Sequence, residues 1–520
     1  MKTLLKAWQE TKPLLRKGYE ALGKEVTMGM PGPCMPAVSA DQNTGIGSPY
    51  GKGAQKAADF FDGAIHKILL GPGGKTNKET RYSPYFSEKA HNPFFIPLEA
   101  LFERGLISSE TLETIYNLPK QKDKIDFNQV DISYRTAFEE AYQKAQSLLS
   151  FDAFLEILAE DFLTCRPLPY IGDLQVQIPH SVYQKHPNYF LKDFTLGSPP
   201  DAFSDQARNW HFKTWDPDLL LTKDGKIGPA GRILFDLISN TMQDNPGGLR
   251  IDHYIGFVNP YVIYKDETLP NGRLYSSPDH PILKQYAKWT LDEFADITRN
   301  ILLKAAAQNG FSLNQIYPED IGCRPKELDP VLEACGLGRL LVSQFVDIWD
   351  DAHMYRLKNA RPHDIATLDT HDTLSIQQFY QNMDEGTRYQ HAVKLAQDLR
   401  FTYWDGLKDP KQLVRLKWAE LLVSPAERVQ AFFTSFTGQP GRYNEPGNPD
   451  KWTLRCDTDF ERLYFKNIAD GWAYNPFDAI ALAIYARGDA FYGYHADLVR
   501  QLHEAEDVIL NLARQETETA

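Results

Sequence analysis

Three short segments of this 520-residue chain put carboxylates where an apolar run gives way to polar residues. The first reads Gly248-Leu249-Arg250-Ile251-Asp252-His253. Arg250 and Asp252 are two apart, so on a strand their side chains share one face. A guanidinium beside a carboxylate favours its ionised form and keeps it available as a nucleophile. An isolated Arg-x-Asp pair is also a common structural ion pair at a strand terminus. The second segment reads Ile316-Tyr317-Pro318-Glu319-Asp320-Ile321-Gly322. Neighbours on a strand alternate, so only one of Glu319 and Asp320 can face a barrel axis. Spacing leaves both open, with Asp320 also suited to capping a helix. The third reads Leu368-Asp369-Thr370-His371-Asp372-Thr373. His371 and Asp372 suit a ligand, a helix cap or a metal, but no further ligands stand at helical or hairpin spacing to complete a metal site.

Together the three segments imply one chemistry. Two carboxyl groups about 5–5.5 Å apart across a cleft are what a retaining glycosidic mechanism requires. One attacks the anomeric carbon, and the other, held protonated by a less polar setting, protonates the departing oxygen. A third can stabilise the positive charge that builds on the sugar ring. Aromatic residues are 12% of the chain, which suits sugar binding as well as core packing.

Such groups need a scaffold that presents strand ends. Eight β-type runs recur, at 37–41, 67–70, 170–178, 248–255, 313–321, 340–348, 364–370 and 431–437, separated by stretches with helical patterning. Alternating strand and helix signals imply parallel strands with helical crossovers. Eight such units predict an α/β fold, a TIM (β/α)8 barrel with its site at the C-terminal strand ends. The expected organisation is one catalytic barrel over 1–520, with a helical insertion over 99–165. A second insertion is expected over 185–240, its stretch 191–222 reading as loop.

Composition narrows the partners. Fifty-six Lys and Arg against 69 Asp and Glu give a net charge of −13. With no basic run, neither a nucleic acid nor an anionic membrane is an expected partner. Five scattered cysteines without a metal spacing predict reduced thiols, not a disulfide framework. The first ten residues carry too short an apolar stretch for a signal core, and no run is long enough to span a membrane. The expected compartment is the cytoplasm.

The motifs as a set resemble glycoside hydrolase family 77, the amylomaltases or disproportionating enzymes (4-α-glucanotransferases). The resemblance runs from about Asp41 to Arg455 and rests on motifs in family order. They are Gly45-Ile46-Gly47 with Tyr50-Gly51, Tyr82-Ser83-Pro84-Tyr85 with Asn92-Pro93, and Ile171-Gly172-Asp173. Pro199-Pro200-Asp201-x-Phe203 with Trp210 follows, then the three carboxylate segments. Arg442-x-Asn444-x-Pro446-Gly447 and Trp452-x-x-Arg455 close the set.

The resemblance implies Asp252 as nucleophile, Glu319 as acid/base and Asp372 as transition-state stabiliser. It further implies Tyr85, Asp173, Arg250 and His371 around the sugar at the cleavage point. Asp201, Trp210 and Asn444 would contact neighbouring sugars. Malto-oligosaccharides and α-1,4-glucans would be the substrates, without cofactor or metal. The barrel would carry helical insertions and no separate C-terminal β-domain. Three departures stand out: Ile255 replaces a usual Arg, Pro318 a common Ala, and Ala202 the usual aromatic of the acceptor loop.

Overall fold

The computed structural model describes residues 1–164, 169–200, 206–265, 273–445 and 451–518. They group into two compact units: Met1–Leu70 with His91–Leu168 and Leu341–Ala520, and Gly71–Ala90 with Pro169–Leu340. Eight strands belong to one sheet: β1 (Glu25–Gly29), β2 (Lys67–Leu69), β3 (Tyr170–Leu174), β4 (Gly248–Ile251), β5 (Ile316–Pro318), β6 (Leu340–Val342), β7 (Ile365–Thr367) and β8 (Arg428–Phe432). Helices lie between them, and the fold is a (β/α)8 barrel.

In the first unit β1 lies between β2 and β8, parallel to both, and β8 pairs in turn with β7. Glu25 to Gly29 face Arg428 to Phe432 in register, so the first strand stands beside the last, as barrel closure requires. The expected first strand at 37–41 is wrong: those residues form bends and turns, and β1 precedes them. The cause is polar patterning. Glu25 and Thr27 interrupt the apolar run of β1, although Thr27 is buried in the finished sheet. The last expected run is also displaced: β8 ends at Phe432, and Phe433–Thr437 is helical.

Between β2 and β3 the first unit carries four helices, Leu98–Glu103, Ser109–Asn117, Phe127–Ala145 and Phe151–Asp161. Ser108, Asp126 and Ser150 each accept a backbone N–H at a helix start, satisfying donors that the helix itself leaves unpaired. After β8 the described residues hold only helices and loops, ending in Asp489–Glu518.

In the second unit β3, β4 and β5 run parallel, with Asp173 opposite Arg250 and Tyr317 opposite Arg250 on the other side. An apolar layer including Leu249, Ile251 and Ile316 packs them against helix Pro229–Asp244 and the helices before β6. Among the described residues of the stretch 191–222, expected as loop, most are strand. Phe190–Ser198 and Arg208–Trp215 form an antiparallel ribbon, extended by Tyr261–Tyr264 and Arg273–Leu274. Register shifts interrupt the ribbon, and Asp193 and His211 take left-handed backbone conformations (φ 66° and 59°). These bulges break the period of two that marks a strand in sequence.

Candidate active site

Ladder hydrogen bonds carry the strand ends past their last paired residues. Asp252 donates its backbone N–H to the Leu174 carbonyl at 2.9 Å, and Glu319 donates to Ile251 at 2.9 Å. Both side chains therefore project from the C-terminal ends of neighbouring strands. Arg250 stands on the face expected from its spacing. Its Nη1 lies 2.6 Å from Asp173 Oδ2 and 3.1 Å from Asp252 Oδ1. Tyr85 donates its hydroxyl to the same Asp173 oxygen at 3.3 Å. Ser87 and Gln175 exchange two hydrogen bonds, at 3.0 and 2.8 Å, and so tie the Tyr85 loop to the end of β3. Neither residue carried a signal in the sequence.

Burial sets the charges here. Asp173 is pushed up to about 7 by desolvation, which Arg250 opposes and the charge on Asp252 reinforces. Arg250 is held firmly cationic: its carboxylate neighbours and Tyr85 outweigh the cost of its burial. Asp173 Oδ1 is buried and has no hydrogen-bond partner among the described residues. An acceptor in that state invites a ligand hydroxyl.

Glu319 and Asp320 divide the two fates that spacing left open. Asp320 is fully buried, and its Oδ1 accepts the Leu340 N–H at 2.9 Å while Arg324 engages Oδ2. It is a structural carboxylate joining β5 to β6. Glu319 turns the other way. Its Oε2 accepts the His253 N–H at 2.8 Å and its Oε1 the Ile321 N–H at 3.0 Å. Part of the residue reaches solvent, but its carboxyl is enclosed. Burial pushes that carboxyl up to about 8, against the pull of Arg250 and the His253 amide and with the charge of Asp252 adding to the rise. An enclosed carboxyl with a raised pKa thus stands on the strand end next to Asp252, whose carboxylate lies against the Arg250 guanidinium.

Trp210, on the ribbon, meets the His253 ring edge to face at 4.7 Å. Asp201, together with Ala202 and Phe203, lies outside the described residues.

The first unit holds a second hydrogen-bonded group, just beyond β7. Asn444 donates from Nδ2 to Asp372 Oδ1 at 2.6 Å, and His371 Nε2 lies 3.3 Å from Asp372 Oδ2. Asn444 also donates its backbone N–H to the His371 carbonyl at 2.9 Å. Asn444 Oδ1 is buried without a hydrogen-bond partner among the described residues. Asp369, in the same segment, has no role assigned from the sequence. It is fully enclosed, accepting the Phe432 N–H at 2.6 Å and the Ser435 hydroxyl at 2.5 Å, and burial pushes it up to about 7. It braces β7 against β8. Among the described residues no group of three or more His, Cys, Asp or Glu is placed to hold a metal ion, and no helix is long and apolar enough to cross a membrane.

Comparison with known proteins bears on this arrangement. The profile of glycoside hydrolase family 77, described as 4-alpha-glucanotransferase, matches residues 169–459, more than half of the chain. A 4-alpha-glucanotransferase of Chlamydia pneumoniae is 26% identical over 297 residues, covering 55% of this chain and 51% of that one. The chain thus spans about half the length of this relative. The 4-alpha-glucanotransferase of Clostridium butyricum is 21% identical over 500 residues, covering 79% of this chain and 93% of that one. Among solved structures, the amylomaltase from Streptococcus agalactiae in complex with acarbose superposes with a TM-score of 0.68 at 15% identity, over 89% of this chain and 99% of that one. That likeness carries the fold, and the profile match carries the family. The chain belongs to glycoside hydrolase family 77, the family of the 4-alpha-glucanotransferases.

Proposed function

We propose that the protein is a 4-α-glucanotransferase that passes α-1,4-linked glucan segments between malto-oligosaccharides with retention at the anomeric carbon. The observation that carries this reading is the pairing of Asp252, beside Arg250 Nη1 at 3.1 Å, with Glu319, raised to about 8 on the adjacent strand end. In the first step an Asp252 oxygen forms a bond to C1 of the donor sugar. The bond from C1 to the departing 4-oxygen breaks, and Glu319 gives its proton to that oxygen. In the second step the ionised Glu319 takes the proton of an acceptor 4-hydroxyl. The acceptor oxygen then replaces Asp252 on C1, restoring the α-linkage.

Other residues supply binding and charge in this reading. Arg250 lies against Asp252 and holds its carboxylate in place. The unpaired oxygens of Asp173 and Asn444 are acceptors for sugar hydroxyls, and Tyr85 holds Asp173 in place. Asp372, oriented by Asn444 and His371, is assigned to stabilising the oxocarbenium-like charge. Trp210 and Asp201 are assigned to neighbouring sugars. We place the enzyme in the cytoplasm, in keeping with the four free thiols among the described residues.

Incubation with maltotriose tests the reading. Glucose should appear together with maltopentaose and longer chains, with little gain in total reducing ends. Reducing ends that rise steadily, with no product longer than the substrate, would instead mark an amylase-like hydrolase.

A further inference from the structure

His253 follows the proposed nucleophile directly, yet its side chain has no place in the reaction scheme. Three observations converge on it. Its backbone is left-handed, with φ at 45°, a conformation that costs a residue with a Cβ and persists only where the surroundings impose it. Its N–H points at Glu319 Oε2 at 2.8 Å. The next amide, of Tyr254, donates to the Glu319 carbonyl at 2.7 Å, so this left-handed turn grips Glu319 at both backbone and side chain. On its other side the imidazole packs edge to face on Trp210, 4.7 Å between centroids and 86° between planes. Trp210 is followed on the ribbon by Phe212, whose ring meets Phe86 at 5.0 Å, in the loop that also carries Tyr85.

We infer that His253 is a positioning residue for Glu319: its ring, seated on Trp210, locks the left-handed turn that aims the backbone N–H at Oε2. The inference rests on Glu319 being the acid/base. It gives the strained backbone a use. A glycine would adopt this φ freely but would have no ring to hold it against the ribbon. It also links the ribbon beside the proposed acceptor site to the proton of the acid/base through one contact.

Besides burial, the groups that act on Glu319 are Arg250 and Asp252 at the end of β4, its neighbour Asp320, and the amides of Ile321 and His253. Of these, the His253 amide is the one that moves with the His253 turn. A hydrogen bond to a carboxylate favours the ionised form, so a loosened amide lets Glu319 rise. The first variant is His253→Gly, which keeps the N–H and tolerates the backbone but removes the ring. Trp210→Ala removes the seat, and Trp210→Phe keeps an aromatic face.

The readout needs no substrate. The protonated-carboxyl infrared band of the full-length protein that vanishes in Glu319→Gln is followed against pH. In His253→Gly the midpoint should rise by roughly half a unit or more, an acid about threefold weaker. Trp210→Ala should move it the same way, and the double variant no further than the larger single change. Trp210→Phe should stay near the parent. A midpoint unmoved in both His253→Gly and Trp210→Ala, with melting curves that show folded protein, would overturn the inference. Because sugar is absent from the measurement, the outcome is separate from the maltotriose test. An enzyme that fails to lengthen maltotriose could still show the shift, and a working transferase could lack it.

Discussion

Arg250 Nη1 lies 3.1 Å from Asp252 Oδ1, and the same nitrogen reaches Asp173 at 2.6 Å. One nitrogen therefore serves both carboxylates, so charge count does not separate arginine from lysine at this position. Reach does. A lysine ammonium sits one bond nearer the backbone, and it is harder to strip of water in a buried site. Arg250→Lys should fold normally yet lose on the order of 10²-fold in kcat, about 2.7 kcal/mol of transition-state stabilisation. Steady-state kinetics with maltotriose, alongside a melting curve, decides it. A near-normal kcat would make Arg250 a structural cation.

The elevated Glu319 fixes a pH dependence. The first chemical step needs its proton, so kcat/KM should fall as pH rises through about 8. Stability should follow the same sign. The folded-state value lies above the unfolded one of 4.5, so the contribution is complete below the unfolded value and lost as pH rises through the folded one. Glu319→Gln, neutral at every pH, should melt above the parent at alkaline pH and lose maltotriose turnover. It should still react with a glycosyl fluoride, whose leaving group needs no proton. If Glu319→Gln turns over maltotriose normally, the acid lies elsewhere.

Asp320 should behave in the opposite way. Its carboxylate is buried and spent on Arg324 and the Leu340 amide. Asp320→Ala leaves the Leu340 amide without its acceptor and Arg324 to its other carboxylate, the exposed Asp329, at a cost of about 1–3 kcal/mol. The folded fraction should retain most of its activity at low temperature, whereas Glu319→Gln should be inactive and well folded. Denaturant melts paired with activity at low temperature separate the two. An Asp320→Ala protein with parental stability would show that this ion pair does not hold β5 to β6.

These paired outcomes mark where the sequence stops being legible. Arg250 and Asp252 could be placed on one face because strand geometry has a period of two and needs no partner. Glu319 and Asp320 could not be assigned, because nothing local says which face of β5 meets Arg324 four residues on or the Leu340 amide twenty residues on. The contribution of His253 lies in its backbone N–H and φ, which a residue type does not report. β1 was misplaced because Thr27, polar in sequence, is buried in the sheet. Trp210 and Phe212, two apart and aromatic, are a strand signal for the ribbon, but Trp215 falls out of that period of two. The left-handed backbone at His211, where the register shifts, interrupts the period further.

Gly172 tests how closely the site depends on packing behind it. It sits on β3 directly before Asp173, and a Cβ there would fall within 2.8 Å of three atoms of the Asn245 side chain. Asn245 cannot easily give way, since it ends helix Pro229–Asp244 and its Nδ2 donates to the Thr241 carbonyl at 2.9 Å. Gly172→Ala should therefore cost about 1–3 kcal/mol through overpacking. The strand must shift to relieve the overlap, and Asp173 shifts with it, straining its contacts to Arg250 and Tyr85. Turnover of maltotriose should fall even at temperatures where the protein is fully folded. Asn245→Gly removes all three clashing atoms, so the double variant should recover both melting temperature and turnover, apart from the cost of losing the helix-end contact. Recovery of stability without turnover would mean that Asp173 tolerates the shift and that the loss of activity has another source. A single variant with parental melting and turnover would show that the helix end moves aside at no cost.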